Sequence, residues 1–562
     1  MDIDSVIEKI EEYEYVSFDV FDTLLLRPYV EPTDLFRHME INENTPGFAD
    51  ARISAERRAR TKDRPEVTLS DIYDAMDTKF SHMMEKELEY EAQVLQPNPE
   101  MKRVFDLTLS KGKVVILLSD MYLPSAFIAD VLSKRGFSGY RKLYVSSDNG
   151  KSKCFGDLFR QALGDLNVLP SELLHIGDDE RSDVRTPSAM GIGTARYEKV
   201  MERYLREHKR ERRFYLRKKD LGRSVIVGMD ALNWISRNEW DYWHSLGYRY
   251  GGPVLTAFAS FINDNADDKE GTILFIARDG CGPRRVYNML YGDVENRYVY
   301  AARIFNILLG LNGRDYPGYE EQIVDHFSEK GLLHVGEDRK RFFSENRDMF
   351  EKLMADKLNA YGEYLSGNVS SGTVYVVDAT TQKFSSQRLV EAALGRNAVG
   401  LYYTMLSRTD VCDCRSFVKY RRVPLAYTRV DVPEFLMSSP EPPVSGMDNG
   451  SPVFSENVSE EERFRLEIMD AVMKGEDEYA GDVKNVFGAL IPRTEPDTAE
   501  DWIRSMTANR TDEDLEHLSG LFWASDPAHD EYHGIIFSPR DAVPFILKKV
   551  RDRYTSLRRR IE

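Results

Sequence analysis

Cysteine is scarce, with four residues in 562: Cys154, Cys281, Cys412 and Cys414. So few cannot form a disulfide framework in a chain of this length, and they fit a reducing compartment. The Cys412–x–Cys414 pair has no second pair and no nearby histidine to complete a zinc site, which argues against structural zinc. No apolar run approaches the ~18–20 residues needed to span a bilayer. The opening stretch MDIDSVIEKIEEYEY is acidic and lacks the apolar core of a secretory signal. A cytoplasmic protein without membrane insertion is therefore expected. Positive charge is also in deficit: 76 Lys and Arg against 94 Asp and Glu leave a net −18, which repels polyanions and argues against nucleic acid as a partner.

What is present is an ordinary globular composition, 42% hydrophobic and 30% charged, without internal repeats or long low-complexity stretches. A single core stops growing near ~250–300 residues, so two or more domains are expected. Residues 1–14 read as a helix, and YVSFDVFDTLLL reads as a buried strand entering a loop before Pro28. From Glu31 to Pro97 the periodicity is helical, with Ser70 expected as the N-cap of DIYDAM. KVVILLSD, KLYVSSD and LLHIGDD then alternate with the helical stretches SAFIADVLSKRG and GDLFRQALGDL, and RTPSAMGIGTARY returns to the sheet. This alternation predicts an α/β fold, a Rossmann-like parallel sheet with helices on both faces and its site at the carboxyl ends of the strands. The basic run at 198–220 predicts a connecting helix, either solvated or a dock for an acidic partner. A second α/β domain is expected from about 226 to 562, with strands in TILFIARDG, TVYVVDATT and AVGLYYTML, a loop-rich 409–455, and helix again in the last thirty residues.

Four short segments carry chemistry together. Asp19, in DVFDT directly after a strand, can attack phosphorus if a cation neutralises its surroundings. Ser119 closes KVVILLS, where a hydroxyl can hydrogen-bond a phosphoryl oxygen. Lys153 precedes the helix GDLFRQAL, where an ammonium can pair with phosphate and nucleophile. Gly177-Asp178-Asp179, followed by Asp183, supplies the hard oxygen ligands that magnesium prefers. Each alone is more often a turn, a cap or a solvated residue. The set, in this order and each after its own apolar strand, points to phosphoryl chemistry.

These segments resemble the four motifs of the haloacid dehalogenase superfamily of phosphatases and related hydrolases, over roughly residues 10–200, and HIGDDERSDVRTPSAMGI is close to the fourth motif. The resemblance implies a domain over 1–200 in which Asp19 is the nucleophile that forms an aspartyl-phosphate. Mg2+ would be held by the Asp19 carboxylate, the Phe21 backbone carbonyl and Asp178, with Asp183 completing or orienting the site. Ser119 and Lys153 would bind the phosphoryl group; Lys151 is the rival for the lysine role, and the KxxGxLF spacing favours Lys153. The helical insert at about 28–98 would be a cap over a small substrate, with Arg52, Glu56, Arg57 and Arg60 as candidate substrate contacts or, alternatively, a surface charge stripe. One departure stands out. The phosphatase pattern places a second aspartate two residues after the nucleophile as general acid/base; here that position is Phe21 and the acid is one further on, Asp22. Either Asp22 substitutes, or turnover is slow or specialised, or the reaction is another one. Dehalogenases share an aromatic at that position, but carbon–halogen displacement needs no divalent ion, and Asp178, Asp179 and Asp183 would repel one another without one.

The whole chain also resembles bacterial two-region proteins encoded among surface-polysaccharide and glycosyltransferase genes, on the runs FDVFDTLLLRP, SDMYLP, LFIARDG and EFLMSSPEPPVSG. The resemblance implies a polysaccharide-pathway context and a glycosyltransferase or pathway enzyme as partner. In the second region Arg278 and Asp279 sit at a strand end, and Asp378, Thr380, Thr381 and Gln382 form a strand-to-helix loop able to cradle an anion. That loop is faintly similar to the diphosphate loop of phosphoribosyltransferases but lacks its glycines. Glu434 and Glu441 are further candidates. A glycan, a nucleotide-sugar and a partner enzyme remain open as ligands of this region. The expected function is a Mg2+-dependent phosphohydrolase acting on a phosphorylated small molecule, a sugar phosphate. The rivals are a binding or scaffold module with little turnover and a carbon–halogen or phosphonate hydrolase.

Overall fold

The computed structural model describes residues 3–61, 65–236, 240–301, 305, 320–329, 338–381, 383–407, 412–418, 427–448, 450–456, 458–524 and 532–534. The chain divides into one unit of Met1–Glu239 with Asp482–Thr494 and another of Trp240–Gly481 with Glu495–Glu562.

In the first unit, β1 (Tyr15–Phe18) follows helix Ile3–Ile10. A two-residue strand β2 (Leu25–Leu26) pairs antiparallel with β3 (Gln96–Pro97), and the helical insert lies between them. β4 (Val114–Ser119), β5 (Lys142–Val145), β6 (Leu173–Gly177) and β7 (Gly193–Arg196) complete a five-stranded parallel sheet in the order β5-β4-β1-β6-β7. β4 is buried along five of its six residues and β6 throughout, the near-continuous apolar run of a strand covered on both faces. The chain winds from β1 outward through β4 and β5, then crosses back to β6, so the order reverses between β1 and β6. Ligands of open α/β sheets bind in the crevice at the carboxyl ends of the strands flanking that reversal, which is where Asp19 and Asp178 emerge.

The insert consists of helices Asp34–Asn42, Phe48–Ala59, Leu69–Asp74 and Met83–Val94. Its third helix starts one residue before the expected cap. Thr68, not Ser70, is the N-cap, and it forms a capping box with Asp71. Thr68-x-x-Asp71 satisfies two amides reciprocally, which a serine already inside the turn cannot do. Inside the insert, Arg52 is fully buried and forks onto Glu87 at 2.8 Å through both nitrogens. Its guanidinium lies 4.6 Å from the rings of both Phe36 and Tyr122. At the base, Arg27 makes the same bidentate pair with Glu91, at 2.7 and 3.0 Å.

The basic stretch forms two helices, Val200–Glu207 and Lys209–Leu216, and a third, Leu221–Ser236, packs within the same unit. A Cβ at Gly228 would lie 2.2 Å from the Pro28 carbonyl oxygen, so only glycine lets this helix approach the start of the insert. Ser224 Oγ accepts from the Val30 amide at 2.8 Å. On the insert's other side, Gln93 Nε2 donates to the Val486 carbonyl at 3.1 Å, and Phe487 packs edge-on against His38.

The second unit holds β8 (Thr272–Ile276), β9 (Glu295–Val299), β10 (Val374–Thr381), β11 (Val399–Met405) and β12 (Cys414–Val418), again all parallel, ordered β12-β11-β10-β8-β9. It is a second α/β domain, its order reversing between β8 and β10. Among its described residues the stretch 409–455 holds, besides β12, helix Tyr427–Met437 and the hairpin of β13 (Val444–Asp448) and β14 (Ser451–Phe454), with SSPEPP irregular between helix and hairpin. Of the last thirty residues, in which helix is expected, only the end of strand Tyr532–Gly534 is described, and the rest lies outside the described residues. Among the described residues no helix is long and apolar enough to cross a membrane.

His38 is wholly buried beneath this packing. Asn42 donates to its Nε2 at 3.1 Å, so Nδ1 carries the proton, 2.8 Å from the Tyr29 hydroxyl. Burial lowers the imidazole from 6.5 to about 4. Because the folded value lies below the unfolded one, the neutral ring stabilises the fold fully above pH 6.5, and that contribution is lost as pH falls toward 4. Urea unfolding should show a loss attributable to His38 of about 3 kcal/mol across this window, absent from His38→Gln; an equal loss in the variant would contradict it.

Candidate active site

The carboxyl ends of three strands and the loop ahead of a helix converge in the first unit. Asp19 follows β1, and its amide continues the ladder to the Ile176 carbonyl at 2.8 Å. Ser119 ends β4 and is buried. Asp178 follows β6, and Asp183 lies in the next helical turn, Glu180–Arg185, which Asp179 caps through the Arg181 and Ser182 amides. Lys153 precedes helix Asp157–Leu166. It is fully enclosed, whereas Lys151 is partly exposed. Gly177 is required here by space, since a Cβ would lie 2.6 Å from the Asp183 carboxylate.

Lys153 Nζ contacts Asp19 Oδ1 and lies 2.6 Å from Asp183 Oδ1. Asp183 Oδ1 also meets His175 Nε2 at 3.1 Å, and Asp183 Oδ2 accepts from the Asp179 amide at 2.9 Å. Burial keeps His175 neutral by lowering its pKa, although Asp183 opposes the shift. With Nε2–H donating to the ionised Asp183, Nδ1 accepts from the Ser17 hydroxyl at 2.8 Å. Asp120 holds the lysine loop, its carboxylate accepting from the Lys153 amide at 2.8 Å. On the open side, Lys199 Nζ lies 3.1 Å from both Asp22 and Asp178, and Thr23 donates to Asp178 at 3.1 Å.

The charges do not balance. Burial alone would raise Asp183, but Lys153 and His175 hold it well below the usual carboxylate range. The same lysine is shared with Asp19, and burial pushes Asp19 well above that range, with Asp183 and Asp178 adding to the shift. Lys153 itself stays firmly protonated: burial would lower it, but Asp183, Asp19 and Asp120 more than offset that. Burial likewise raises Asp178, against Lys199. Asp19 is thus the undercompensated member. Carboxylate oxygens of Asp19, Asp178 and Asp183 lie within 4.8 Å of one another, the only such acidic, histidine or cysteine group among the described residues. Three hard oxygen donors with surplus negative charge fit a divalent cation such as magnesium.

Several contacts of this site join residues that no single motif of the sequence pairs. Lys199 and Asp22 are 177 positions apart, and His175 is an inward position of an apolar strand. Asp120 does follow Ser119 directly, and a second polar residue at a strand end was the available signal. Asp22 itself adopts a left-handed backbone, φ 59°, and its amide donates to the Leu25 carbonyl at 2.8 Å. The Phe21 ring lies 4.8 Å from the Arg27 guanidinium.

Other candidates lie elsewhere. Arg52 and Glu56 are paired to each other at 3.2 Å within the insert, where Arg52 is spent on Glu87. Arg57 stands on helix Phe48–Ala59, and Arg60 pairs with Glu56 at 3.2 Å. In the second unit Arg278 pairs with Glu462 at 2.5 Å, and Asp279 follows it at the end of β8. Asp378 accepts from its neighbour's amide and from Ser386 Oγ at 2.8 Å, ahead of helix Ser385–Leu394. Thr381 Oγ1 accepts from the Phe384 amide at 2.9 Å, Thr380 is on the same strand, and Gln382 lies outside the described residues. Glu441 accepts from Tyr298 and Tyr300 at 3.1 and 2.9 Å, and Glu434 stands on helix Tyr427–Met437.

No family model matches the chain, and no curated protein matches it. Among solved structures, it is similar to a haloacid dehalogenase family enzyme from Bacteroides thetaiotaomicron, an aspartate-to-alanine variant in complex with magnesium and inorganic phosphate (17% identity, 33% of this chain and 95% of that one, TM-score 0.24). It is also similar to a predicted phosphoglycolate phosphatase from Haemophilus somnus (11%, 33% and 84%, 0.26) and to L-2-haloacid dehalogenase from Xanthobacter autotrophicus (16%, 35% and 83%, 0.26).

Removing one partner of a buried pair leaves an uncompensated charge. Lys153→Met should therefore cost about 3–5 kcal/mol of first-unit stability in metal-free buffer, read by urea unfolding. A loss below about 1 kcal/mol, the scale of an exposed pair, would show that the lysine does not hold the carboxylates together.

Proposed function

We propose that the first unit is a phosphohydrolase that acts through an aspartyl-phosphate on Asp19. Its substrate is a phosphorylated small molecule, a sugar phosphate of surface-polysaccharide metabolism. The observation that carries this reading is the buried Asp19 carboxylate at the sheet's reversal point, with Lys153 against it and Asp178 and Asp183 beside it.

Asp19 attacks phosphorus, and the bond from phosphorus to the leaving oxygen breaks as Asp22 protonates that oxygen. Water then attacks the same phosphorus and gives its proton to Asp22; the bond to Asp19 breaks and inorganic phosphate leaves. Lys153 and the Ser119 hydroxyl bind the phosphoryl oxygens. Asp19, Asp178, Asp183 and the Phe21 carbonyl are the residues that would hold magnesium, which when bound neutralises charge on nucleophile and phosphoryl group. Asp22 takes the acid/base role because Phe21 has no titratable group and Asp22 is the next acid along the loop.

A second reading, a module that binds but scarcely turns over, draws on the ion pair between Asp22 and Lys199. That pair occupies the Asp22 carboxylate with a cation of the same chain. The two readings separate in a phosphate-release assay over a panel of phosphomonoesters that includes sugar phosphates. The phosphohydrolase requires release that depends on magnesium and disappears in Asp19→Asn, with Asp22→Asn slower by about 10²–10⁴-fold. Release from no compound, by folded protein that binds magnesium, would favour the binding module. Release that survives Asp19→Asn would overturn the nucleophile.

A further inference from the structure

A cavity of about 230 Å³ opens in the first unit beside the acid cluster, with Asp22 and Lys199 in its lining. Lys199 joins the two, since its ammonium touches Asp178 as well as Asp22. Its lining includes Leu26 of β2 and Val30 just beyond it, together with Leu205 and, from helix Leu221–Ser236, Ala231 and Leu232. That helix follows the parallel sheet in the chain and adds no strand to it. Its seat is fixed by the Gly228 approach to Pro28 and by Ser224 on the Val30 amide.

The lining selects by size and by charge. Pockets for drug-sized ligands occupy ~300–1,000 Å³, so this one admits a single small ring or short chain. Its cations are already engaged, Lys199 by Asp22 and Asp178 and Arg27 by Glu91. Glu31 and Glu202 add further negative charge to the lining. A carboxylate or second phosphate on the leaving group would enter a field of its own sign, whereas an uncharged polyol would not.

We infer that this cavity receives the leaving group, and that the substrate is the phosphomonoester of a small uncharged alcohol with an apolar face, its size set by helix Leu221–Ser236. The inference rests on the phosphohydrolase reading above.

The test compares kcat/KM of the full chain with magnesium for methyl phosphate, a hexose phosphate, and a phosphomonoester of similar size bearing a carboxylate. The hexose phosphate should exceed the carboxylate-bearing compound by about tenfold or more. Leu232→Trp should lower the hexose-to-methyl ratio by about tenfold. Glu202→Gln, at an exposed position that folding tolerates, should shift selectivity toward the anionic compound. Turnover with both ratios unmoved by both variants would overturn the subsite and leave the phosphohydrolase standing. Release from none of the three compounds would overturn the phosphohydrolase reading, and the subsite with it.

Discussion

One buried ammonium organises the first unit's site. Lys153 touches Asp19 and Asp183 where water is excluded. Asp183 is further secured by His175 and by the Asp179 amide, so it takes the larger share of the lysine's charge. Asp19 is left incompletely neutralised at the end of its strand. A buried carboxylate in that condition is costly to the fold and reactive toward an electrophile once a cation completes its surroundings. Asp120 on the Lys153 amide and the glycine at 177 keep the lysine and Asp183 in place.

The insert is tied down rather than simply appended. The β2–β3 ladder pairs its two ends, and Arg27 spans from one of them to Glu91 near the other. Helix Leu221–Ser236 and residues 482–494 press on it from segments distant in sequence. Three of the residues in these contacts, Arg27, Val30 and Gly228, also line the cavity next to Asp22.

Much of this was legible in the sequence because it is local. Each of Asp19, Ser119 and Asp178 directly follows an apolar strand, and parallel topology sends such residues to one edge of the sheet. The alternation of strand and helix identified both α/β sheets, and the spacing ahead of GDLFRQAL favoured Lys153 over Lys151. What was not legible is what depends on distant pairing. Nothing near Lys199 announces that it meets Asp22 and Asp178. His175 reads as another inward strand position until Asp183 lies beneath it. Helix Leu221–Ser236 reads as part of the chain beyond a basic connector, because the requirement for glycine at 228 is set by Pro28, 200 residues away. Arg52 shows the opposite failure: its charge-rich segment suggested a substrate contact, but burial and the fork onto Glu87 use its donors inside the insert. At Ser70 the error was one of register, since the capping box begins at Thr68.

In the proposed reaction phosphorus becomes bonded to Asp19. The most direct measurement is an acid quench during turnover of a phosphomonoester, followed by mass spectrometry of the peptide that contains Asp19. A phosphoryl group on Asp19, absent without magnesium and absent from Asp19→Asn, is the result predicted. Sustained phosphate release with Asp19 unmodified at every quench time, or with the phosphoryl group on another residue, would contradict it.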